Sequence, residues 1–239
     1  MSLSIILPTY NESENLPLLM ERLFSLPIPG LNVLVVDDNS PDGTGRIAEE
    51  LAGRYENRIR VLHRPGKLGL GSAYIEGFRE CLKTPAEFMV QMDSDFSHPP
   101  EKLLEMVKAI ENADVVIGSR YTQGGALDEN WPVTRKMLSA FGNTYARVIL
   151  GVHMKDLTGG FRLWKRAVVE AIPWERIRSN GYVFQVETAY LTERLGFKIA
   201  EVPIYFAERK FGQSKMSLGI QVEAAVRVWQ LRGMYRDIK

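Results

Sequence analysis

The first half of the chain alternates short apolar runs with longer segments whose apolar residues recur every three or four positions. The apolar runs predict β-strands and the periodic segments predict helices. The predicted strands are residues 3–7, 33–36, 59–63, 88–92 and 115–118, and the predicted helices are residues 13–25, 44–54, 72–82 and 100–111. Strands that alternate with helices form a sheet covered on both faces. This half therefore predicts an α/β fold with a mixed, mostly parallel sheet flanked by helices.

The pattern of the second half is different. One amphipathic helix is predicted over residues 133–150, and a second, apolar on most of its surface, over residues 216–235. A strand is predicted over residues 198–206, where Pro203 indicates a sheet edge or a bulge. The sequence leaves open whether the two helices pack in the core or rest on a membrane surface.

Size and composition exclude several classes of protein. A chain of 239 residues with 45% hydrophobic content can bury the core of one large domain. A net charge of +1 argues against a nucleic-acid binder held by bulk electrostatics. The single cysteine, Cys81, and three histidines offer no cluster with zinc-site spacing. We interpret Cys81 as a small buried apolar residue, and His98 and His153 as turn or surface residues.

Neither a secretory signal nor a membrane-spanning segment is visible. The amino terminus leads directly into a strand, and apolar residues never run for about eighteen positions without a charge. With its lone cysteine the chain is typical of a reducing compartment. We expect a cytoplasmic protein, peripheral on the cytoplasmic face of a membrane if it contacts one.

Polar side chains follow three of the predicted strands at the point where each strand ends. Residues 8–12 follow the first strand, residues 37–40 the second, and Asp93 and Asp95 the fourth. Ligands of open α/β sheets bind at this edge. Two acids one residue apart repel each other unless a cation lies between them, and oxygen ligands suit Mg²⁺ or Mn²⁺, which also bind phosphate. A nucleoside diphosphate with its metal is the first hypothesis, and a solvated surface turn is the alternative.

Six motifs along the chain carry a family resemblance. They are PTYNE at 8–12, VDDNSPDGT at 36–44, GKLGLG at 66–71, MDSD at 92–95 with SHPP at 97–100, GSRY at 118–121 and FGQSKM at 211–216. Together they resemble family-2 glycosyltransferases of GT-A (Rossmann-like) fold, and more narrowly the polyprenol (dolichol) phosphate mannose synthases. The resemblance covers nearly the whole chain. It implies one GT-A domain whose residues 1–122 bind a nucleotide sugar and whose residues 123–239 bind the acceptor through amphipathic helices suited to a membrane interface.

The resemblance also implies a role for each matching residue. The nucleotide would be framed by Pro8, Tyr10 and Glu12, with Val36 and Asp38 against base and ribose, and the diphosphate would be lined by Asp93, Ser94 and Asp95. Mg²⁺ or Mn²⁺ would be held by Asp95, Asp93 and Ser97. Arg120 would hold phosphate near the reacting centre, and Arg209 and Lys215 would close over the donor. The alternatives are that Tyr10 and Val36 are packing residues and that Arg209 and Lys215 belong to an ordinary charged loop.

The implied reaction moves mannose from GDP-mannose to a polyprenyl (dolichyl) phosphate. A phosphate monoester is already largely ionised at neutral pH, so it needs no general base. Arg120 and Arg135 are the candidates to hold that phosphate, because guanidinium groups bind phosphate oxygens in pairs. Ser139 lies one helical turn after Arg135 and adds a hydrogen-bonding group. With Asp95, these form the predicted catalytic set.

Other interpretations remain open. A related transferase would use UDP-glucose or a UDP-N-acetylhexosamine, or would glycosylate a sugar hydroxyl. A protein of another class would bind nucleotide sugars without catalysis. The expected partners are a membrane surface and a small membrane-anchoring subunit or other membrane protein, with no nucleic acid. The base, the sugar, the metal, the isoprenoid length and the oligomeric state stay undetermined.

Overall fold

A computed structural model of the protein describes residues 1–56, 58–207 and 218–238. The strands are β1 (Leu3–Thr9), β2 (Leu31–Asp37), β3 (Ile59–His63), β4 (Phe88–Gln91), β5 (Val115–Ser119), β6 (Ala126–Leu127), β7 (Arg162–Lys165), β8 (Ile199–Pro203) and β9 (Tyr205–Phe206). The α-helices are α1 (Asn15–Phe24), α2 (Thr44–Arg54), α3 (Leu70–Leu82), α4 (Leu103–Ala109), α5 (Val133–Leu150), α6 (Arg166–Ala171), α7 (Gly181–Arg194) and α8 (Leu218–Met234).

Seven strands form the main sheet, in the order β3-β2-β1-β4-β7-β5-β8. Only β7 in this sheet runs antiparallel to its neighbours; every other pairing is parallel. The expected mixed, mostly parallel sheet is thus confirmed. The chain winds from β1 outward to β3 and then returns to place β4 on the other side of β1. A crevice for ligands opens at such a reversal, beyond the carboxyl ends of the two strands.

Helices cover both faces of the sheet, and the alternation of strand residues assigns side chains to each face. In β1, Ile6 packs in one apolar cluster with α3, α7 and α8, whereas Ile5 and Leu7 pack in the other with α1, α2 and α4. Helix α3 lies very close to the sheet at Gly77, where an added Cβ would come within 2.4 Å of Ile6 Cγ2. Cys81 is fully buried, as predicted.

The predicted elements of the first half are confirmed with small shifts of their ends. The predicted helix 100–111 is α4 with a turn of 3₁₀ helix at each end, Pro100–Lys102 and Ile110–Asn112. The predicted helix 216–235 is α8 from residue 218 onward; residues 216 and 217 lie outside the described part of the chain.

The second half differs from the prediction in several elements. The predicted strand 198–206 is two strands, because β8 ends at Pro203 and β9 then pairs with β6 in a separate two-stranded sheet. Strand β7, with the helix α6 that follows it, and helix α7 were missed. Helix α7 is buried on nearly every side from Phe184 to Thr192, so it shows no amphipathic stripe. Since β7 and β8 join the sheet built by residues 3–119, the two halves share one sheet, and their division by substrate stays a prediction.

Candidate active site

The carboxyl ends of β1, β2, β4 and β5 lie at one edge of the sheet, which we call the rim. The backbone turns sharply there. Three residues other than glycine adopt positive φ just after these strands: Asn11 at 63°, Asn39 at 56° and Phe96 at 64°. Asparagine tolerates this conformation, whereas for a bulky residue such as phenylalanine it costs about 1–3 kcal/mol. Strain of this kind concentrates at functional sites, which draws attention to the turn that contains Asp93 and Asp95.

The turn at Phe96 folds the chain back onto Asp95. The backbone N–H and the hydroxyl of Ser97 both donate to Asp95 Oδ1, at 3.0 and 2.6 Å. Asp95 is buried, and its neighbour Ser94 donates to the carbonyl of Pro8 at 3.2 Å, which joins the ends of β4 and β1. Ser97 therefore orients Asp95, and its own role as a metal ligand stays a prediction.

Asp93 is held from two sides. The hydroxyl of Tyr74, from α3, donates to Asp93 Oδ1 at 2.8 Å. The backbone N–H of Asp93 donates to His98 Nδ1 at 3.0 Å. Burial, followed by the charge of Asp93, raises the pKa of Tyr74 well above its ordinary value, so the phenol keeps its proton and acts as a donor.

His98 lies in the turn that follows β4, which agrees with one of its two interpretations, but it is fully buried, so its interpretation as a surface residue was wrong. Its ring stacks on Phe161 with centroids 5.1 Å apart and meets the edge of Phe206. Burial lowers the pKa of His98 and outweighs the charges of Asp93 and Asp95, which act in the opposite direction. His98 is therefore neutral at pH 7, and because Nδ1 accepts a hydrogen bond, its proton is on Nε2. His153, in contrast, is exposed as predicted.

Arg120 has an ion-pair partner that the sequence analysis did not identify. Its Nε and Nη2 donate to the two oxygens of Asp156 at 2.7 and 2.6 Å, and Nη2 also donates to Thr158 at 2.6 Å. Both members of the pair are buried. Burial alone would raise the pKa of Asp156, but the charge and hydrogen bonds of Arg120 outweigh it and keep that pKa below its usual range.

Two N–H groups of Arg120, those on Nη1, donate no hydrogen bond to the described residues. They are the groups of Arg120 that a substrate phosphate can use. The predicted phosphate role of Arg120 stays a prediction, and it would be limited to this end of the guanidinium group, because the other end is paired with Asp156.

The turn at 156–160, which precedes β7 at the rim, is held by two buried residues. Asn143, from α5, donates to Thr158 Oγ1 and to the carbonyl of Ser139, and accepts from the backbone N–H groups of residues 157 and 158. Arg162 donates to three carbonyls and to the hydroxyl of Thr188. Burial lowers the pKa of Arg162 to about 10, so it stays charged at pH 7.

The residues predicted to bind the nucleotide sugar lie at the rim, but the side chains of two of them are engaged inside the protein. The side chain of Val36 is fully buried against α3, so only its main chain can contact a nucleoside. Asp38 is buried, with Oδ1 2.5 Å from Arg64 Nη1 and Oδ2 accepting from the backbone of residues 68 and 69. Its contact with base or ribose, predicted from the resemblance, has to compete with these bonds.

The other predicted donor residues are more accessible. Tyr10 is half-buried, and Lys67 Nζ lies 3.7 Å from the centre of its ring. Glu12 accepts from Asn15 at 2.8 Å, and its backbone N–H donates to Thr44. Arg209 and Lys215 lie outside the described residues.

The acceptor candidates Arg135 and Ser139 lie on the inward side of α5. The guanidinium of Arg135 stacks on the ring of Trp131, 3.5 Å from its centre. Ser139 accepts from the hydroxyl of Tyr121 at 2.7 Å, so it is tied to the segment that follows β5.

Aromatic contacts join the acceptor residues to the acid turn. Phe206 meets the rings of His98 and Trp131, each at 5.7 Å between centroids, and the Arg120 guanidinium lies 5.2 Å from the Phe206 ring. The structure thus brings Asp93, Asp95, Arg120, Arg135 and Ser139 into one region of the rim. Sequence reasoning missed Tyr74, Asp156, Thr158 and Asn143. The polar turn 156–160 was recognisable, but its position depends on β7, which was not predicted.

The carboxylate oxygens of the acid turn suit Mg²⁺ or Mn²⁺, but other ligands must complete the coordination. Across residues 1–56, 58–207 and 218–238, no group of three or more His, Cys, Asp or Glu side chains is arranged to hold a metal ion. Mg²⁺ commonly binds through one or two carboxylates and completes its coordination with water and substrate phosphates. Asp93 and Asp95 match that arrangement, with hard oxygen ligands on one short turn.

Comparison with known proteins gives relatives that align over nearly their full length. The chain is 47% identical over 236 residues to the undecaprenyl-phosphate mannosyltransferase of Micrococcus luteus, covering 98% of this chain and 96% of that protein. It is 46% identical over 232 residues to the polyprenol monophosphomannose synthase of Mycolicibacterium smegmatis, covering 96% of this chain and 87% of that protein.

Solved structures give the same fold at lower identity. Glucosyl-3-phosphoglycerate synthase from Mycobacterium tuberculosis, in complex with Mn²⁺, uridine-diphosphate-glucose and phosphoglyceric acid, superposes with a TM-score of 0.66 at 18% identity. The match covers 100% of this chain and 80% of that one. At this identity the likeness shows the fold alone. The sequence model described as "Glycosyl transferase family 2" matches residues 4–172. With that match and the two close relatives, the chain belongs to glycosyltransferase family 2.

Proposed function

We propose that this glycosyltransferase is metal-dependent and inverting, and that it transfers mannose from GDP-mannose to a polyprenyl (dolichyl) phosphate, giving a polyprenyl β-mannosyl phosphate. The mannosyl group and the polyprenyl phosphate acceptor rest on the names of the two relatives at 47% and 46% identity. The guanine base rests on the motif resemblance.

One observation carries the proposal. The acid pair, at the position where open α/β sheets bind their ligands, lies in the same region of the rim as two arginines and beside a helix with an exposed apolar face. The acid pair can bind the metal of a metal–diphosphate donor, and the arginines can bind the phosphate of the acceptor. The exposed apolar face can contact the lipid chain that the acceptor carries.

The acceptor oxygen would attack the anomeric carbon as an anion. A new bond forms between that oxygen and the carbon while the bond from the carbon to the diphosphate oxygen breaks, and the nucleoside diphosphate leaves with the electron pair. Attack from the opposite face inverts the configuration. His98 fits this scheme, because its Nδ1 lone pair already accepts from the backbone N–H of Asp93 and so is not placed to act as a general base, and a phosphate monoester needs none.

Arg135 and the Nη1 end of Arg120 would hold the acceptor phosphate, with Ser139 as a further hydrogen-bonding group. Repulsion between the acceptor phosphate and the donor diphosphate is the main electrostatic obstacle, and it grows where water is excluded. A divalent cation held by Asp93 and Asp95 would supply charge neutralisation on the leaving diphosphate. The residues of the chain itself position both substrates.

An exposed apolar face of α5 supports a membrane location. Val133, Met137, Phe141 and Val148 are 70, 66, 67 and 75% exposed, and their spacing places them on one side of the helix. Arg135 and Ser139 lie on the other side, toward the site. Helix α8, which packs beside α5, exposes Trp229 to 57%. None of the described helices is long and apolar enough to cross a bilayer.

We therefore propose that α5 and α8 rest on the cytoplasmic face of a membrane, with or without a small anchoring subunit. Flotation with vesicles of anionic and neutral phospholipid tests direct contact. The double substitution Phe141→Ser with Val148→Ser should abolish flotation, whereas Leu18→Ser, which changes an apolar residue on α1 that is 48% exposed, should not. If the wild type stays unbound at every vesicle composition, direct docking is wrong and an anchoring subunit is required.

A transfer assay tests the reaction. Purified protein is incubated with a short polyprenyl phosphate, Mg²⁺ or Mn²⁺, and GDP-mannose, UDP-glucose or UDP-N-acetylglucosamine in parallel, and the lipid product is identified by mass. We expect a hexosyl product from GDP-mannose, none after chelation and none from Asp95→Ala. A product from a UDP-sugar alone would overturn the donor assignment, and full turnover in excess chelator would overturn the metal role.

A further inference from the structure

Tyr74 is a buried residue of α3 that contacts Asp93 at the proposed metal site. Resting on the proposed function, we propose that Tyr74 is a positioning residue: its hydroxyl fixes the Asp93 carboxylate in the orientation that binds the divalent cation. Nothing in the motif resemblance assigns a role to this residue, which lies outside the acid turn in sequence.

The hydrogen bond is built to be rigid. The ring of Tyr74 is fully buried and lies parallel to that of Phe184, from α7, with 6.1 Å between centroids and 6° between planes. Its hydroxyl reaches Asp93 Oδ1 at 2.8 Å, although 19 positions separate the two residues in sequence. Close packing around a buried ring restricts its rotation, which keeps the hydroxyl oxygen beside Asp93.

The distance of Tyr74 from the sheet is also fixed, by the packing of the helices α3 and α7. Gly77, less than one helical turn further along α3, lets the helix approach β1 more closely than any side chain there would permit. Arg162 donates to the carbonyl of Gln185, the residue after Phe184 on α7, at 2.9 Å, and so holds the helix that carries Phe184. A hydrogen bond of this length is sensitive to displacements of a few tenths of an ångström, and both contacts oppose such movement.

The bond leaves Asp93 with two unequal oxygens. Oδ1 accepts from Tyr74, and Oδ2 takes no hydrogen bond from the described part of the chain. With its backbone N–H held by His98, Asp93 has both its main chain and its carboxylate plane fixed. A carboxylate that is already oriented binds a cation without losing rotational freedom, and removal of such an orienting partner typically weakens metal affinity about 10–100-fold.

The substitution Tyr74→Phe removes the hydroxyl and keeps the ring. Mn²⁺ binding is measured directly from the electron paramagnetic resonance signal of free Mn²⁺, titrated into protein saturated with GDP. We expect about 10-fold weaker Mn²⁺ binding in Tyr74→Phe than in the wild type. In turnover assays the Mn²⁺ concentration for half-maximal rate should rise by a similar factor, with kcat near the wild-type value at saturating Mn²⁺.

A matched control comes from a second buried tyrosine. Tyr235, the residue that follows α8, donates to the buried carboxylate of Glu187 on α7 at 2.6 Å, which is a bond of the same kind. Tyr235→Phe should lower the melting temperature and leave Mn²⁺ affinity unchanged. This comparison separates loss of a buried hydrogen bond in general from loss of the one at Asp93.

The outcomes distinguish this inference from the proposed function. Unchanged Mn²⁺ affinity in Tyr74→Phe, with the wild type binding Mn²⁺, overturns the positioning role alone. Equal weakening in Tyr74→Phe and Tyr235→Phe also overturns it, because the effect would then be one of general stability. Failure of the wild type itself to bind Mn²⁺ with GDP present overturns the metal assignment on which the inference rests.

Discussion

Replacing Asp156 with alanine removes the carboxylate that holds Arg120 in the protein interior. Asp156 accepts four hydrogen bonds, three from Arg120 through its backbone N–H, Nε and Nη2 and one from the backbone N–H of Gly159. Both residues of the ion pair are buried. The substitution would therefore leave a cation and two N–H groups without their acceptor.

The expected loss of stability is large. Removing one partner of a buried ion pair costs about 3–5 kcal/mol, because the remaining charge is uncompensated. For a chain of 239 residues, each kcal/mol lowers the melting temperature by about 2 °C. Asp156→Ala should therefore melt about 6–10 °C below the wild type. Transfer activity should fall as well, since Arg120 and the turn at Gly159 lose their common anchor.

Differential scanning calorimetry with three companion variants, Glu101→Ala, Arg120→Met and a double variant, tests the cause. Glu101→Ala breaks a surface ion pair in which the side chains of Glu101 and Arg22 are 52 and 44% exposed. It should lower the free energy of unfolding by no more than about 1 kcal/mol. The double substitution Arg120→Met with Asp156→Ala removes both buried charges. It should be less destabilised than the sum of the two single variants, by about 0.5–3 kcal/mol.

Two results would refute the reasoning. A melting temperature for Asp156→Ala within 2 °C of that of Glu101→Ala would mean that Arg120 reaches water or another acceptor at little cost. Strict additivity in the double variant would mean that the ion pair contributes no coupling energy.

Three further outcomes follow from single contacts or pKa values. Gly77→Ala should lower the free energy of unfolding in urea by about 1–3 kcal/mol, since its Cβ would meet Ile6 at 2.4 Å; an unchanged midpoint would show that α3 moves freely. Arg135→Ala should raise the KM for polyprenyl phosphate about 10–100-fold and leave GDP affinity unchanged, as loss of a charge-assisted phosphate contact predicts; equal effects on both would contradict its acceptor role. The pKa of Asp156 is lower in the folded than in the unfolded protein, so its ionised carboxylate stabilises the fold at pH values above the unfolded-state pKa of about 3.9. This stabilisation is lost as the pH falls through the folded-state pKa. Melting curves from pH 6 to pH 3 should therefore show a shallower loss for Asp156→Ala than for the wild type.

The donor side of the site was largely predictable from sequence. Each of its motifs combines a buried strand with the turn that directly follows, and such local signals determine which side chains reach the rim. Asp93, Asp95 and Tyr10 are examples. Their contacts with substrate stay predictions. Val36 can contact a substrate only through its main chain, because its side chain is buried. The carboxylate of Asp38 is already bound to Arg64.

The internal partners of these residues were not predictable. Helix α7 is buried on nearly all sides and has no amphipathic period, and β7 has only four residues, so neither gave a recognisable pattern. Without β7 the turn 156–160 could not be assigned to the rim, and Arg120 had no visible partner.

The sequence by itself determined the class of fold, the edge of the sheet where polar groups collect, and the amphipathic character of α5, because periodicity and turn chemistry act over a few residues. Only the tertiary structure decided that Arg120 pairs with Asp156, that Tyr74 holds Asp93, and that the apolar face of α5 stays exposed. The physical reason is that these contacts join positions 19 to 36 residues apart or depend on which helices pack together. They follow from strand order and close packing, which no local pattern encodes.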